Sequence, residues 1–174
     1  MSKTLLYTIH GSHLYGMNHA ESDIDYYMVV SEENRKVKAK QTIIDGIDTT
    51  VVGYSGFMEM CFKGVPQALE AMFSTQATID ELKAFRSSYK AGGAGVVDVY
   101  RRTIYNFSHE KRSGEKYKKH AVRLTLNLNS LLQYEKFNPT LTSDEIAIVN
   151  RLHLLPEKIF ESELNAISLV QIFN

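Results

Sequence analysis

The sequence predicts an α+β fold, in which a small mixed β-sheet comes first and helices follow it. Two observations support this prediction. Short runs rich in β-branched and aromatic residues, bounded by turn signals, occur before Tyr54, and such runs are typical of strands. Beyond Tyr54 the apolar residues recur with helical spacing. Strands that precede helices, rather than alternating with them, favour the α+β class.

The strand predictions follow the chain from its first apolar run. Thr4–Ile9 is short and apolar, and it stops at a Gly-Ser pair. Ile24–Val30 is rich in aromatic and β-branched residues, and a charged loop follows it. Gln41–Gly53 fits one strand or two, because Asp45-Gly46 is a typical two-residue hairpin turn. If there are two strands, they cover residues 42–44 and 47–52.

The helix predictions rest on apolar spacing and on start and stop signals. Gly64 is a typical residue after a helix end, and Pro66 suits the first turn of the next helix. Thr142 begins a run with capping character. The expected helices are Ser55–Phe62, Pro66–Phe73, Thr78–Ser87, Val96 to about Phe107, Glu115–Tyr134, Ser143–Leu152 and Pro156–Ile167.

A glycine-rich joint at residues 91–95 separates the strand-bearing part of the chain from the later helices. We therefore expect two domains. Residues 1–90 form the core of strands and helices, and residues 91–174 form a helical part packed on that core.

Composition and charge argue against several classes of protein. Apolar residues make up 44% of the chain, which argues against disorder. Lys plus Arg and Asp plus Glu number 20 each, so the overall charge does not favour nucleic acid. The single cysteine, Cys61, excludes an internal disulfide and a cysteine-based zinc cluster. No signal-peptide pattern and no membrane-spanning apolar run is present, so we expect a cytoplasmic protein with no membrane partner.

Two short motifs near the start of the chain carry candidate chemistry. In the first, Gly11-Ser12, the glycine permits a sharp turn, and the flanking N–H groups can bind an anion such as phosphate. In the second, Asp23 and Asp25 are two residues apart at the start of a predicted strand. Side chains at that spacing face the same side of a strand, and paired carboxylates suit a hard divalent cation. Each motif alone is more often an ordinary turn or a solvated strand end.

Together the motifs resemble a known signature. Gly11-Ser12-x-x-Tyr15-Gly16, followed by Glu21-Ser22-Asp23-Ile24-Asp25, resembles that of the DNA polymerase β-like nucleotidyltransferase superfamily. More narrowly, it is similar to the predicted nucleotidyltransferase branch found in bacteria and phages. The resemblance covers residues 4–73 and, more loosely, residues 118–145. Residues 78–110 and 150–174 have no counterpart.

The resemblance implies a site for a nucleoside triphosphate (NTP) with two Mg²⁺ ions, Mn²⁺ being an alternative. Gly11 and Ser12 would open the helix that holds the triphosphate, and Tyr15 would line the nucleotide pocket. Asp23 and Asp25 would bind the metal ions together with a third carboxylate on a neighbouring strand.

The resemblance leaves some site assignments open. Asp48 is the preferred third carboxylate, and Asp45 is the rival, although the following glycine makes Asp45 look like a turn residue. Glu70 matches a family glutamate, or else it is an exposed or capping helix carboxylate. His10, His13 and His19 flank the motif and are expected at the surface or behind the site.

A second match lies in the segment KKHAVRLTLNLNSLL, which resembles a basic helix of the family. Lys119, His120 and Arg123 share a helix face beside an apolar stripe, and the resemblance implies that they bind the nucleotide. The alternative is a solvated basic face. Residues weighed less heavily for the same role are Lys111, Arg112 and Lys116.

The predicted activity is Mg-dependent transfer of a nucleoside monophosphate from an NTP to an acceptor. The acceptor is a protein, a small molecule or a nucleic acid end, and the neutral charge weighs against long nucleic acids. The alternative is a catalytically silent nucleotide-binding or interaction module with the same fold. The oligomeric state is left open.

Overall fold

The computed structural model describes residues 3–32, 39–74, 80–90, 94–109, 114–134 and 137–173. Within these ranges it contains a four-stranded mixed sheet and eight α-helices, so the predicted α+β class is confirmed. The chain divides into two compact units, Met1–Tyr89 and Lys90–Asn174. The sequence analysis places this boundary one residue later. That the helical part packs on the core stays a prediction.

The sheet lies entirely in the N-terminal unit. Its strands are β1 (Thr4–His10), β2 (Asp25–Val30), β3 (Lys40–Ile44) and β4 (Ile47–Gly53). They lie in the order β1-β2-β4-β3. The β1–β2 and β3–β4 pairs are antiparallel, whereas β2 and β4 are parallel. Residues 26–30 of β2 pair with both neighbouring strands, so β2 is a central strand and its first residue, Asp25, lies at one end of the sheet between β1 and β4.

The segment that allowed one strand or two contains two. Asp45 has φ 51° and Gly46 has φ 81°, and two successive positive φ values are those of a type I′ hairpin turn. The turn joins β3 to β4. Asp45 is therefore a turn residue, as its following glycine indicates.

The helices of the N-terminal unit are α1 (Gly11–Tyr15), α2 (Tyr54–Lys63), α3 (Pro66–Met72) and α4 (Asp80–Ser88). The structure confirms the predicted stop and start between α2 and α3, because Gly64 adopts φ 75° after α2 and Pro66 opens α3. The predicted cap at Thr78 lies outside the described residues.

One face of the sheet is packed against these helices. Helix α2 contacts β2 and β4, and α3 contacts β1. Thr8 lies opposite Tyr27 in the sheet, both side chains are buried, and the Tyr27 ring packs against that of Phe57, with centroids 5.9 Å apart. Two residues along each strand, His10 lies opposite Asp25. Because strand side chains alternate, these two project to the same face.

The C-terminal unit contains α5 (Ala94–His109), α6 (Glu115–Tyr134), α7 (Ser143–Leu152) and α8 (Glu157–Ile167). Helix α6 contacts the other three, and all eight residues from 121 to 128 are buried. The predicted cap of α7 is a full capping box, in which the Glu145 N–H donates to Thr142 Oγ1 at 3.3 Å and the Thr142 N–H donates to Glu145 Oε2 at 2.8 Å. In the described part of the chain, every helix is too short or too polar to cross a bilayer.

A carboxylate from the end of β2 caps α2. Glu32 Oε2 accepts a hydrogen bond of 3.2 Å from the Ser55 N–H. Gly53, the residue before α2, leaves room for it, because a Cβ on Gly53 would lie 2.0 Å from Glu32 Oε1. The glycine is thus required by a close approach, and the negative charge lies at the favourable end of the helix.

Gly53→Ala should lower the free energy of unfolding by about 1 kcal/mol, because the new methyl group displaces the capping carboxylate. Thermal unfolding followed by circular dichroism measures this change. Gly95→Ala is the control, because Gly95 lies in α5 with open space at its Cβ position. It should stabilise by roughly 0.5–1 kcal/mol. Equal signs for the two variants would contradict the capping role.

Candidate functional site

The Gly-Ser motif lies where β1 turns directly into α1. Gly11 opens the helix with φ 66°, a left-handed conformation that glycine adopts without a steric penalty. A Cβ on Gly11 would lie 2.2 Å from Asp25 Oδ2 and 3.2 Å from Asp25 Cγ. The carboxylate of Asp25 therefore lies against the Cα of Gly11, and both the conformation and the contact require glycine.

Asp25 and Asp48 are neighbours across the parallel pair of strands. The paired residues begin with Tyr26 opposite Thr49, so the residues just before them, Asp25 and Asp48, face each other by continuation of the register. Neighbouring strands lie about 4.8 Å apart, and residues in register point to the same face. Asp25 is half-buried and Asp48 is exposed. The geometry thus favours Asp48 over the turn residue Asp45 as the partner of Asp25.

Asp23 is placed differently from the expectation. Strand β2 begins at Asp25 rather than at Ile24, so Asp23 lies in an exposed segment before the strand. The alternation argument that put both carboxylates on one strand face therefore does not extend to Asp23, and the convergence of Asp23 with Asp25 stays a prediction. A turn precedes Asp23, in which the Ser22 N–H donates to His19 O at 3.0 Å.

The three predicted carboxylates are not gathered into one cluster. Among the described residues, no group of three His, Cys, Asp or Glu side chains lies close enough to hold a metal ion. Asp25 and Asp48 lie side by side at the N-terminal ends of the two central strands. Within the same ranges, the structure records no hydrogen bond or ion pair to either carboxylate.

Glu70 is neither exposed nor a cap. It lies inside α3 with 0% of its surface exposed, which excludes the alternative of an exposed or capping carboxylate, and its role in the site stays a prediction. Its Oε2 atom accepts a hydrogen bond of 2.7 Å from the Tyr15 hydroxyl. His10 Nε2 lies 3.3 Å from the same oxygen without forming a hydrogen bond. Tyr15 is 4% exposed, so its hydroxyl points to Glu70 in the interior.

The sequence analysis missed His10 as part of this group. His10 is 9% exposed, which excludes the surface alternative and agrees with the alternative of a residue behind the site. Its ring lies edge-on to that of Tyr15, with centroids 5.9 Å apart, and 5.5 Å from that of Tyr27. A signal was present in the sequence, because His10 continues the alternation of the buried residues Leu6 and Thr8 one step beyond the predicted strand end.

Burial favours the neutral form of two ionisable groups near Glu70. Burial raises the pKa of the Cys61 thiol. Burial also raises the pKa of the Tyr27 hydroxyl, and the nearby Cys61 and Glu70 raise it further. Cys61 Sγ donates to Ala68 O at 3.6 Å. Both side chains therefore serve the packing of α2 and α3 on the sheet.

The basic residues of the second motif lie on α6. Arg123 is 3% exposed, so a solvated basic face is the wrong interpretation for this residue. Lys119 and His120 are half-buried, and the His120 ring packs on Phe107, with centroids 5.5 Å apart. Lys111 and Arg112 lie outside the described residues.

A basic residue not predicted for the site has a defined structural role. Lys118 Nζ donates to Leu155 O at 2.6 Å and lies 5.3 Å from the centroid of the Phe160 ring. This cation therefore ties α6 to the chain around α8.

Comparison with known proteins adds no family to this description. No family model matches the chain, and no curated protein matches it. The resemblance to nucleotidyltransferases therefore rests on the motifs quoted above.

Gly11→Ala should both destabilise the protein and displace the Asp25 carboxylate, because it adds a left-handed strain of about 1–2 kcal/mol and a methyl group in contact with Oδ2. Gly46→Ala is the matched control, since Gly46 also has a positive φ but has nothing within 4 Å of its Cβ position. The melting temperature should fall in both variants, and it should fall further in Gly11→Ala because only that methyl group meets Asp25.

Titration with a non-hydrolysable NTP and Mg²⁺ separates the two variants. Only Gly11→Ala should lose affinity. Equal affinities in the two variants would reduce the Gly-Ser motif to an ordinary turn.

Proposed function

We propose that the chain is a Mg-dependent nucleotidyltransferase, which transfers a nucleoside monophosphate from an NTP to an acceptor and releases pyrophosphate. One observation carries the proposal. The turn that opens α1 lies next to the carboxylates Asp25 and Asp48, which lie at the N-terminal ends of the two central strands, and Asp25 lies against Gly11. The sequence resemblance implies that these same residues bind a triphosphate and metal ions.

The residues of this patch fit Mg²⁺ in part. Mg²⁺ is commonly held by one or two carboxylates together with substrate phosphates, and Asp25 with Asp48 supplies two. In the proposal, Asp25 and Asp48 face the acceptor hydroxyl, and Asp23 with Asp25 faces the triphosphate. When bound, the metal ions lower the pKa of the attacking hydroxyl and neutralise charge on the leaving pyrophosphate. Mn²⁺ is an alternative with the same ligand preferences.

The other residues of the proposed site bind the nucleotide. The absence of a side chain at Gly11 lets a phosphate approach the backbone, and the N–H groups around Ser12 are available donors at the start of α1. On the helical unit, the half-buried Lys119 and His120 are the candidates for binding the phosphates. Arg123 remains in the proposal, but its burial gives it a share in the packing of its own unit.

One observation favours the alternative of a nucleotide-binding module without turnover. Asp23 lies outside the strand and is not grouped with the other carboxylates. The acceptor of the active form is a protein, a small molecule or a nucleic acid end, and in each case the attacking group is a hydroxyl. Incubation with each labelled NTP, Mg²⁺ and a host lysate, followed by mass spectrometry of the labelled species, tests turnover and identifies the acceptor.

Asp25→Asn should lower nucleotide transfer on the order of 100-fold or more, because it removes a charged metal ligand. Its melting temperature should be retained, since a half-buried carboxylate at the sheet edge is not a packing residue. Asp45→Asn is the control, because asparagine tolerates the positive φ of that turn, and it should transfer like the wild type. Wild-type transfer by a folded Asp25→Asn variant would overturn the metal role.

Lys119→Ala should weaken NTP binding about tenfold through loss of a charge-assisted contact, and it should leave the melting temperature unchanged. Lys158→Ala, at an exposed position in α8 of the same unit, is the control and should bind normally. Arg123→Ala should lower the melting temperature, because the side chain is buried. If Lys119→Ala binds NTP as the wild type does, the nucleotide does not contact this part of α6.

A further inference from the structure

Glu70 places a carboxylate where none is needed for packing. The residue is fully buried on α3, and the burial of an ionisable group is unfavourable unless hydrogen bonds offset the loss of water. Replacing buried ionic groups with apolar ones is often neutral or stabilising. The stability of the unit therefore does not by itself account for Glu70, and its contacts indicate another role.

Those contacts lie on both sides of the Gly-Ser motif. Tyr15, which bonds Glu70 Oε2 at 2.7 Å, is the last residue of α1. His10, 3.3 Å from the same oxygen, is the residue just before α1. One carboxylate oxygen thus contacts the two residues that flank the segment from Gly11 to Leu14.

The segment needs such support. Helix α1 has five residues, which is far below the length at which a helix is stable alone in water. The side chain of His10, the residue before it, forms no capping hydrogen bond. Its position must therefore come from tertiary contacts, and the Tyr15–Glu70 hydrogen bond is a buried one between residues 55 positions apart.

We propose that Glu70 is a positioning residue, which holds the backbone of Gly11 and Ser12 in place beside the Asp25 carboxylate. It acts through Tyr15 on one side and through His10 on the other. The expected effect of Glu70 on triphosphate binding rests on the proposed function. Its expected effect on the conformation of the ligand-free turn does not.

The hydroxyl of Tyr15 allows a minimal test. Tyr15→Phe removes the bond to Glu70 and keeps the ring. Tyr89→Phe is the same chemical change in the same unit, and the Tyr89 hydroxyl is buried without a hydrogen-bond partner among the described residues. Glu70→Gln keeps an acceptor oxygen for Tyr15, whereas Glu70→Ala removes it. Should Glu70→Ala fail to fold, the other three variants still decide the test.

Two measurements are made on each folded variant. The amide resonances of Gly11 and Ser12 are recorded by NMR in the ligand-free protein, with Gly46 as an internal reference in the remote hairpin turn. The dissociation constant for a non-hydrolysable ATP analogue with Mg²⁺ is measured by calorimetry. Melting temperatures are recorded alongside, because a purely structural role of Glu70 would alter only these.

Tyr15→Phe should shift the Gly11 and Ser12 resonances, leave that of Gly46 unchanged, and raise the dissociation constant about tenfold. Tyr89→Phe should change none of these, and Glu70→Gln should retain most of the wild-type affinity. Unshifted Gly11 and Ser12 resonances in Tyr15→Phe would overturn the positioning role. If these resonances shift but the wild type binds no ATP analogue, the positioning role stands and the proposed function fails.

Discussion

The close approach of the Asp25 carboxylate to the Cα of Gly11 is the constraint on which the rest of the site depends. The antiparallel register places His10, the last residue of β1, opposite Asp25, the first residue of β2. The chain must then turn at once, and it does so through a left-handed residue that lies directly against the carboxylate. Any side chain at Gly11 would meet Asp25, and any other start of α1 would move the turn away from it. The strand register and the glycine together thus determine where the start of α1 meets the start of β2.

The same arrangement occurs at the other end of β2 with a different outcome. Glu32 follows β2, lies against Gly53 and accepts a hydrogen bond from the Ser55 N–H at the start of α2. That carboxylate is used within the fold, as a cap on a ten-residue helix. For Asp25, no comparable hydrogen bond is present among the described residues, and α1 is half as long. Two carboxylates that each lie against a glycine at the start of a helix therefore differ in their partners. Only Asp25 also has a second carboxylate, Asp48, beside it in the sheet.

Local chemistry made much of the fold predictable from the sequence. The Asp45-Gly46 turn, the Gly64 stop and the Thr142 cap each depend on a few neighbouring residues, and each lies where the sequence places it. The preference for Asp48 over Asp45 followed from the same turn chemistry. Three features were beyond such reasoning. Strand β2 begins at Asp25, so Asp23 lies two residues before it and the alternation of strand side chains does not fix its direction. Glu70 is buried and accepts a hydrogen bond from Tyr15, which is distant in sequence. Helical spacing showed which residues of α6 share a face, but not that 121–128 would be covered on every side.

The distribution of unusual local features points to the same place as the motifs, and it does so independently of any family resemblance. Most of the N-terminal unit obeys ordinary rules of turns, caps and strand alternation. The exceptions concentrate between His10 and Tyr15. There a left-handed residue opens a helix, the helix is too short to be stable alone, and its two flanks meet a fully buried carboxylate. Departures from local consistency are expected at functional sites, where the surrounding fold must stabilise a conformation that the segment would not adopt alone. Because Asp25 lies against this segment and Asp48 lies beside Asp25, the two carboxylates belong to that same region. The turn, the pair of carboxylates and the buried Glu70 therefore lie together, and the proposed site comprises all three.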